Sequence, residues 1–192
     1  LLIFLFHVCY FSTAAPPPNA TGQLIAFTAA GLDGQGFGGI WLVQPNGTGF
    51  RQLIAFANPI FELNNVHGLQ LPEDHPAISP DGKKIAFVST RGHAFNKEIY
   101  LMDINGSNRR RLTDSPDLDT GRPVAGEKRL VFSTARVGNQ DLAILDPVTL
   151  AVTRLTTSAL EETEPAWSPD GRTIAFTRFL SQGQKQVWLV DT

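Results

Sequence analysis

Apolar residues fall along the chain in short runs of three to four, separated by turn-forming residues, and the runs recur. One series reads Ile25-Ala26-Phe27, Ile85-Ala86-Phe87, Leu130-Val131-Phe132 and Ile174-Ala175-Phe176. A second reads Ile40-Trp41-Leu42-Val43, Ile99-Tyr100-Leu101-Met102, Leu142-Ala143-Ile144-Leu145 and Val187-Trp188-Leu189-Val190. A third, shorter landmark is Arg51-Gln52-Leu53, Arg110-Arg111-Leu112 and Arg154-Leu155. Steps of about 44 residues separate successive copies, apart from a first step of about 60, and such a period is the mark of a repeat architecture. The long step implies an insertion, which falls at 55–73.

Each period holds about four strand-length segments. In the second unit they lie near Pro76–Ser79, Lys84–Ser89, Glu98–Asp103 and Arg109–Thr113. Ser79-Pro80-Asp81-Gly82 joins the first two, with Pro fixing φ and Gly taking the left-handed position. Asn105-Gly106 joins the last two and Asn46-Gly47 stands at the same corner of the first unit, both strong hairpin signals. No sustained 3.6-residue apolar period occurs, so long helices are not expected. Four antiparallel strands per 40–45 residues predict an all-β fold, a β-propeller of four-stranded blades. The blades fall at about 19–54, 74–113, 120–156 and 163–192, with the inserted loop at 55–73.

His75-Pro76-Ala77-Ile78-Ser79-Pro80-Asp81-Gly82-Lys83-Lys84-Ile85-Ala86-Phe87 resembles the TolB-type, WD-like propeller repeat. So does Glu164-Pro165-Ala166-Trp167-Ser168-Pro169-Asp170-Gly171-Arg172-Thr173-Ile174-Ala175-Phe176. The first and third units depart from it, reading Asn19-Ala20-Thr21-Gly22 and Ala125-Gly126-Glu127-Lys128 where the Ser-Pro-Asp-Gly turn would stand. Propellers of this family have six or more blades, so about four blades imply an incomplete ring; a four-bladed ring or closure by another copy is the alternative. The resemblance further implies an exported interaction module that binds proteins of the cell envelope.

The N-terminus has another character. Leu1 to Phe11 is an apolar run of signal-peptide length, followed by the small residues Ser12-Thr13-Ala14-Ala15. It is too short for a membrane span, which needs about 20 residues. Residues 1–15 therefore read as a truncated signal, against a buried first strand or a membrane anchor, and the mature form is expected to be periplasmic or secreted with no stable membrane span. Pro16 moves the expected cleavage point a residue or two from Ala15. Cys9, the single cysteine, lies inside this run, so disulfide chemistry is not expected of the mature chain.

Composition narrows the function. A formal charge of −2 and 18% charged residues give no basic footprint for nucleic acid. Gly34-Gln35-Gly36-Phe37-Gly38-Gly39 matches GxGxxG, but a strand follows it where a dinucleotide site requires a helix. No Gly-x-Ser-x-Gly elbow and no HExxH motif is present, so no catalytic residue, cofactor or metal ligand set is assigned. A metal site at His67, His75 and His93 remains only if the fold brings three ligands together.

Loops joining second to third strands, and those between blades, leave the same face. They include 29–39, 91–97, 135–140, 178–186 and the insertion. Loops on a rigid scaffold are where binding usually resides. Phe56, Ile60 and Phe61 in the insertion, with His67, His75, Arg91, His93, Arg136 and Arg178, form the candidate partner-binding set. The insertion's apolar side chains either pack over the blade beneath or meet a partner. The arginines, with Glu73, Asp74, Glu162 and Glu164, either form ion pairs that set blade orientation or line a channel mouth for an anionic ligand. Two functions follow: a non-catalytic scaffold for proteins or peptides, or the substrate-gating propeller of a prolyl-oligopeptidase-like serine peptidase.

Overall fold

The computed structural model describes residues 24–30, 38–55, 73–90, 96–116, 119, 123–126 and 128–192. Among them there is no α-helix; the strands form four antiparallel meanders. The first sheet holds β1 (Ile25–Ala30), β2 (Gly38–Val43) and β3 (Arg51–Ala55). The second holds β4 (Glu73–Ile78), β5 (Lys84–Ser89), β6 (Glu98–Asp103) and β7 (Arg110–Arg111). The third holds β8 (Val124–Ala125), β9 (Leu130–Val137), β10 (Asn139–Leu145) and β11 (Val152–Arg154). The fourth holds β12 (Glu162–Trp167), β13 (Thr173–Phe179) and β14 (Lys185–Asp191).

The central hairpin of every sheet keeps one register: Ile25 opposes Val43, Ile85 opposes Met102, Leu130 opposes Leu145 and Ile174 opposes Val190. The runs of the second and third sheets are continuous rather than alternating because those sheets are covered on both faces, whereas Val187 and Leu189 on β14 of the fourth are exposed. Ile85 and Phe87 point back into a core with Ala26, Ile40 and Leu42 of the first sheet. Ala86 and Ile99 point forward into a core with Leu130, Phe132 and Leu145 of the third. Val131, Leu142 and Ile144 do the same against Trp167, Ile174 and Phe176 of the fourth. Burying each large side chain fully contributes about 1.5–3 kcal/mol, so these junction cores dominate the stacking. The short β8 lies against both β4 and β12, which places the first strands together on the inner side of the arc.

The third landmark has a physical reason. The Arg51 guanidinium donates to the Ile104 carbonyl of the next sheet at 3.1 Å, and Arg110 donates to the equivalent Pro147 carbonyl at 2.5 Å. Each arginine thus fastens the last strand of its own sheet to the following blade's outer turn. Thr153 stands at the same register in the third sheet and makes no such link.

The departures are also explained. At Gly126, which replaces the usual turn, an added Cβ would lie 3.0 Å from the Trp167 ring. Trp167 fills that space, donating from Nε1 to the Val124 carbonyl at 3.2 Å with Arg129 over its ring. The first strands are longer at their N-terminal ends than turn signals suggest: β4 starts at Glu73 rather than near Pro76. The expected loop 135–140 is mostly strand, because β9 runs on to Val137 and turns tightly at Gly138, whose φ is +107°. Likewise β13 continues to Phe179, and a single 3-10 turn at Ser181–Gly183 leads into β14.

Candidate binding face

Antiparallel meanders put two kinds of connection at opposite ends of the strands. One end carries tight turns locked by short polar side chains. Ser79 Oγ donates to Asp81 Oδ1 at 2.6 Å, and Ser168 does the same to Asp170 at 2.6 Å. The serine hydroxyl, and then the amide of Lys83 or Arg172, hold both carboxyls below the ordinary value. Lys84, then Asn108, does the same for Asp103, and the amides of Thr149 and Val148 for Asp146.

The opposite end carries the candidate residues. Arg178 lies in β13 opposite Glu162, the first residue of β12. Its Nε donates to Glu162 Oε1 at 2.8 Å, and the guanidinium lies 3.8 Å from the Trp188 ring centroid. Arg136 holds Asp119 through Nε at 3.0 Å and Nη2 at 2.6 Å, and Thr134 donates to the same carboxylate at 2.7 Å. Glu162 and Asp119 are fully buried. Arg178 is therefore engaged inside its own blade, whereas Arg136 holds Asp119 of the inter-blade segment, whose amide donates to the Lys97 carbonyl at 3.3 Å. The partner of Arg136 is Asp119, a residue outside the acidic groups anticipated from sequence.

His75 lies in β4 with its amide donating to Asp74 Oδ1 at 2.7 Å and its Nδ1 3.1 Å from Asp74 Oδ2. It has a φ of +50°, and Glu164, its counterpart in β12, has +54°. Each precedes a proline and sits where the strand pairing slips, between Asp74 and Ala77 and between Thr163 and Ala166. A non-glycine residue in the left-handed region is uncommon and costs of order 1 kcal/mol. The His-Pro and Glu-Pro bulges are thus paired features of two inner strands. Phe56, Ile60, Phe61, His67, Arg91 and His93 lie outside the described residues, as do residues 1–15. Among the described residues no three histidine, cysteine or acidic side chains gather as a metal site.

A second pair of carboxylates was not anticipated. Glu98, the first residue of β6, and Asp141, the third of β10, are buried. The amide of Ser115 donates to Glu98 at 2.9 Å, and that of Ser158 to Asp141 at 3.1 Å. Thr113 accepts the Ile99 amide at 2.9 Å while donating to Glu98, and Thr156 accepts the Leu142 amide at 2.9 Å. Two residues upstream, Asn96 and Asn139 donate to the Ser115 and Ser158 carbonyls. The signal was present in the sequence as Asn-x-Glu/Asp followed by Leu-Thr-x-Ser in two successive repeats. This network ends the fourth strand and fixes where the chain leaves for the next blade, on the candidate face.

No family model matches the chain. The Protein TolB homolog of Chlorobium luteolum is 32% identical over 161 residues, which are 81% of this chain and 35% of its own. Among solved structures, TolB from Acinetobacter baumannii superposes with a TM-score of 0.67 at 24% identity, over 88% of this chain and 38% of that one. The repeats are TolB-type propeller blades. The Tol-Pal system protein TolB of Francisella tularensis subsp. tularensis is 27% identical over 119 residues, 61% of this chain. The match spans 27% of that relative's length, so the TolB likeness concerns blades rather than a whole relative. A puromycin hydrolase mutant shares the propeller fold at a TM-score of 0.59 and 18% identity, over 88% of this chain and 27% of that one.

Proposed function

We propose that this chain is an exported, non-catalytic TolB-like scaffold that binds a cell-envelope protein or peptide in the periplasm, through the face carrying the 55–73 insertion. The observation that carries the reading is the asymmetry of the blade ends. At one end the turns are short and locked by their own serine, aspartate and asparagine side chains. At the other, buried carboxylates fix the strand ends from which inter-blade segments depart, and the buried Glu73 opens β4 where the insertion ends. Rigid strand ends that present longer connections suit protein recognition, because little order has to be created on binding. Relatives named as Tol-Pal system components support an envelope partner, and the apolar segment 1–11 supports export.

The test uses the chain and a variant in which residues 56–72 are replaced by a short Gly-Ser link, each cross-linked to the envelope fraction of its own cells. One protein should be captured by the parent chain and lost by the variant, with thermal unfolding unchanged. Undiminished capture by a folded variant contradicts the assignment of the face.

The fold shared with a puromycin hydrolase favours a second reading, the gating propeller of a serine peptidase. In that case the gene would encode a Ser-elbow hydrolase domain in the same polypeptide, and captured molecules would be cleaved peptides rather than a stable partner.

A further inference from the structure

We propose that Asn46 is a site of spontaneous deamidation, and that the junction between the first two blades protects the equivalent Asn105. Both residues precede glycine at the outer turn of a blade. Asn46 Oδ1 accepts from the Thr48 amide at 3.0 Å and hydroxyl at 2.8 Å, and Asn105 Oδ1 accepts from the Ser107 amide at 2.9 Å and hydroxyl at 2.6 Å. These bonds fold each side-chain carbonyl back along the following peptide unit. In the reaction the Gly47 amide nitrogen loses its proton to solvent base and attacks Asn46 Cγ. The Cγ–N bond to the side-chain nitrogen breaks, ammonia leaves, and a succinimide remains. Water then opens that ring to aspartate or isoaspartate. No oxidant, cofactor or enzyme is needed.

The two turns differ in what must open before the glycine nitrogen can attack. Gly47 donates to the Gln44 carbonyl at 2.9 Å, and Gly106 to the Asp103 carbonyl at 2.8 Å, so that step is shared. Around Gly47 a Cβ would meet nothing within 4 Å, whereas at Gly106 it would lie 3.2 Å from the Leu53 carbonyl of the neighbouring blade. The second turn is further clamped by Arg109, which donates to the Gly106 carbonyl at 2.9 Å and to the Leu53 carbonyl at 3.0 Å. Arg51 reaches across the junction to Ile104 at 3.1 Å. Among the described residues, the hydrogen bonds of the 44–49 turn are internal to it. Local opening is graded by such contacts. A protection of about ten-fold, equal to 1.4 kcal/mol, is on the scale of one or two net hydrogen bonds.

The experiment incubates the full chain at mildly alkaline pH and follows the one-dalton gain at each asparagine by peptide mapping, with isoaspartate detection. Asn46 should convert about ten-fold faster than Asn105 in the folded chain, and the two should converge in denaturant. An Arg51→Ala/Arg109→Ala variant that stays folded should accelerate Asn105 and leave Asn46 unchanged. Equal rates in the folded parent chain overturn the proposal. So does a preference that persists in denaturant, or an Asn105 rate that does not respond to loss of both arginines.

Discussion

Replacing Arg178 by Met removes the only positive charge that the structure places on Glu162, among the described residues, while keeping most of the apolar stem. Glu162 is fully buried, and the Arg178 side chain is one-fifth exposed. Breaking a buried pair from one side leaves an uncompensated charge, which costs about 3–5 kcal/mol. The lost stacking on Trp188 adds about 0.5–1 kcal/mol, the lower end of the cation–π range, because that ring is 41% exposed. Arg178→Met should therefore lose about 4 kcal/mol. With a urea m-value of about 2 kcal/mol/M, the midpoint falls by roughly 2 M. Urea titration followed by tryptophan fluorescence and circular dichroism reads this directly, since Trp167 and Trp188 both lie in the fourth sheet. Adding Glu162→Leu should restore most of the loss, because an apolar pair of similar volume avoids the desolvation penalty. A loss below about 1 kcal/mol, or no recovery in the double variant, refutes the pairing as a structural element. Arg178 would then be better understood as a surface group available to a ligand.

Three further outcomes follow from the same geometry. Thr113→Val removes the hydroxyl that satisfies the Ile99 amide and should cost about 1–3 kcal/mol, with Thr156→Val doing the same through Leu142; amide exchange at Ile99 and Leu142 checks it. Gly39→Ala should destabilise the first sheet by about 3 kcal/mol, because a Cβ there would lie 1.8 Å from the Ile54 carbonyl; thermal unfolding measures it. Asp81 and Asp170 are held below their ordinary carboxyl value by Ser79 and Ser168. A depressed folded-state pKa contributes stability that is fully present above the unfolded value and lost as pH falls through the folded one. The melting temperature should accordingly decline below about pH 4, and Asp81→Asn with Asp170→Asn should flatten that decline.

In the second and third sheets, the strands that sequence pattern revealed are those whose side chains meet a core on both faces. Ile85-Ala86-Phe87 and Ile99-Tyr100-Leu101-Met102 announce themselves because every residue is constrained by packing. The Ser-Pro-Asp-Gly and Asn-Gly corners were legible for a related reason, since a left-handed φ at Gly82, Gly106 and Gly171 leaves few residue choices. Inner strands were harder to place. Their ends depend on bulges at His75 and Glu164, where a left-handed residue precedes proline against the usual preference for extended backbone. The buried carboxylates were least visible, because acidic residues ordinarily mark solvent. Glu98 and Asp141 are inside because the Ser115 and Ser158 amides need acceptors where the fourth strand ends, a requirement that appears only once the blade is assembled. Arg136 and Arg178 looked alike from their places after the apolar run. Register sets Arg178 opposite Glu162, whereas Arg136 reaches back to Asp119.

Amide hydrogen exchange of the chain, with and without its captured envelope partner, tests the binding face most directly. The account predicts new protection in 56–72 and at the neighbouring strand ends, with the 79–82 and 105–108 turns unchanged. Protection concentrated at those turns, with 56–72 exchanging as in the free chain, would contradict it.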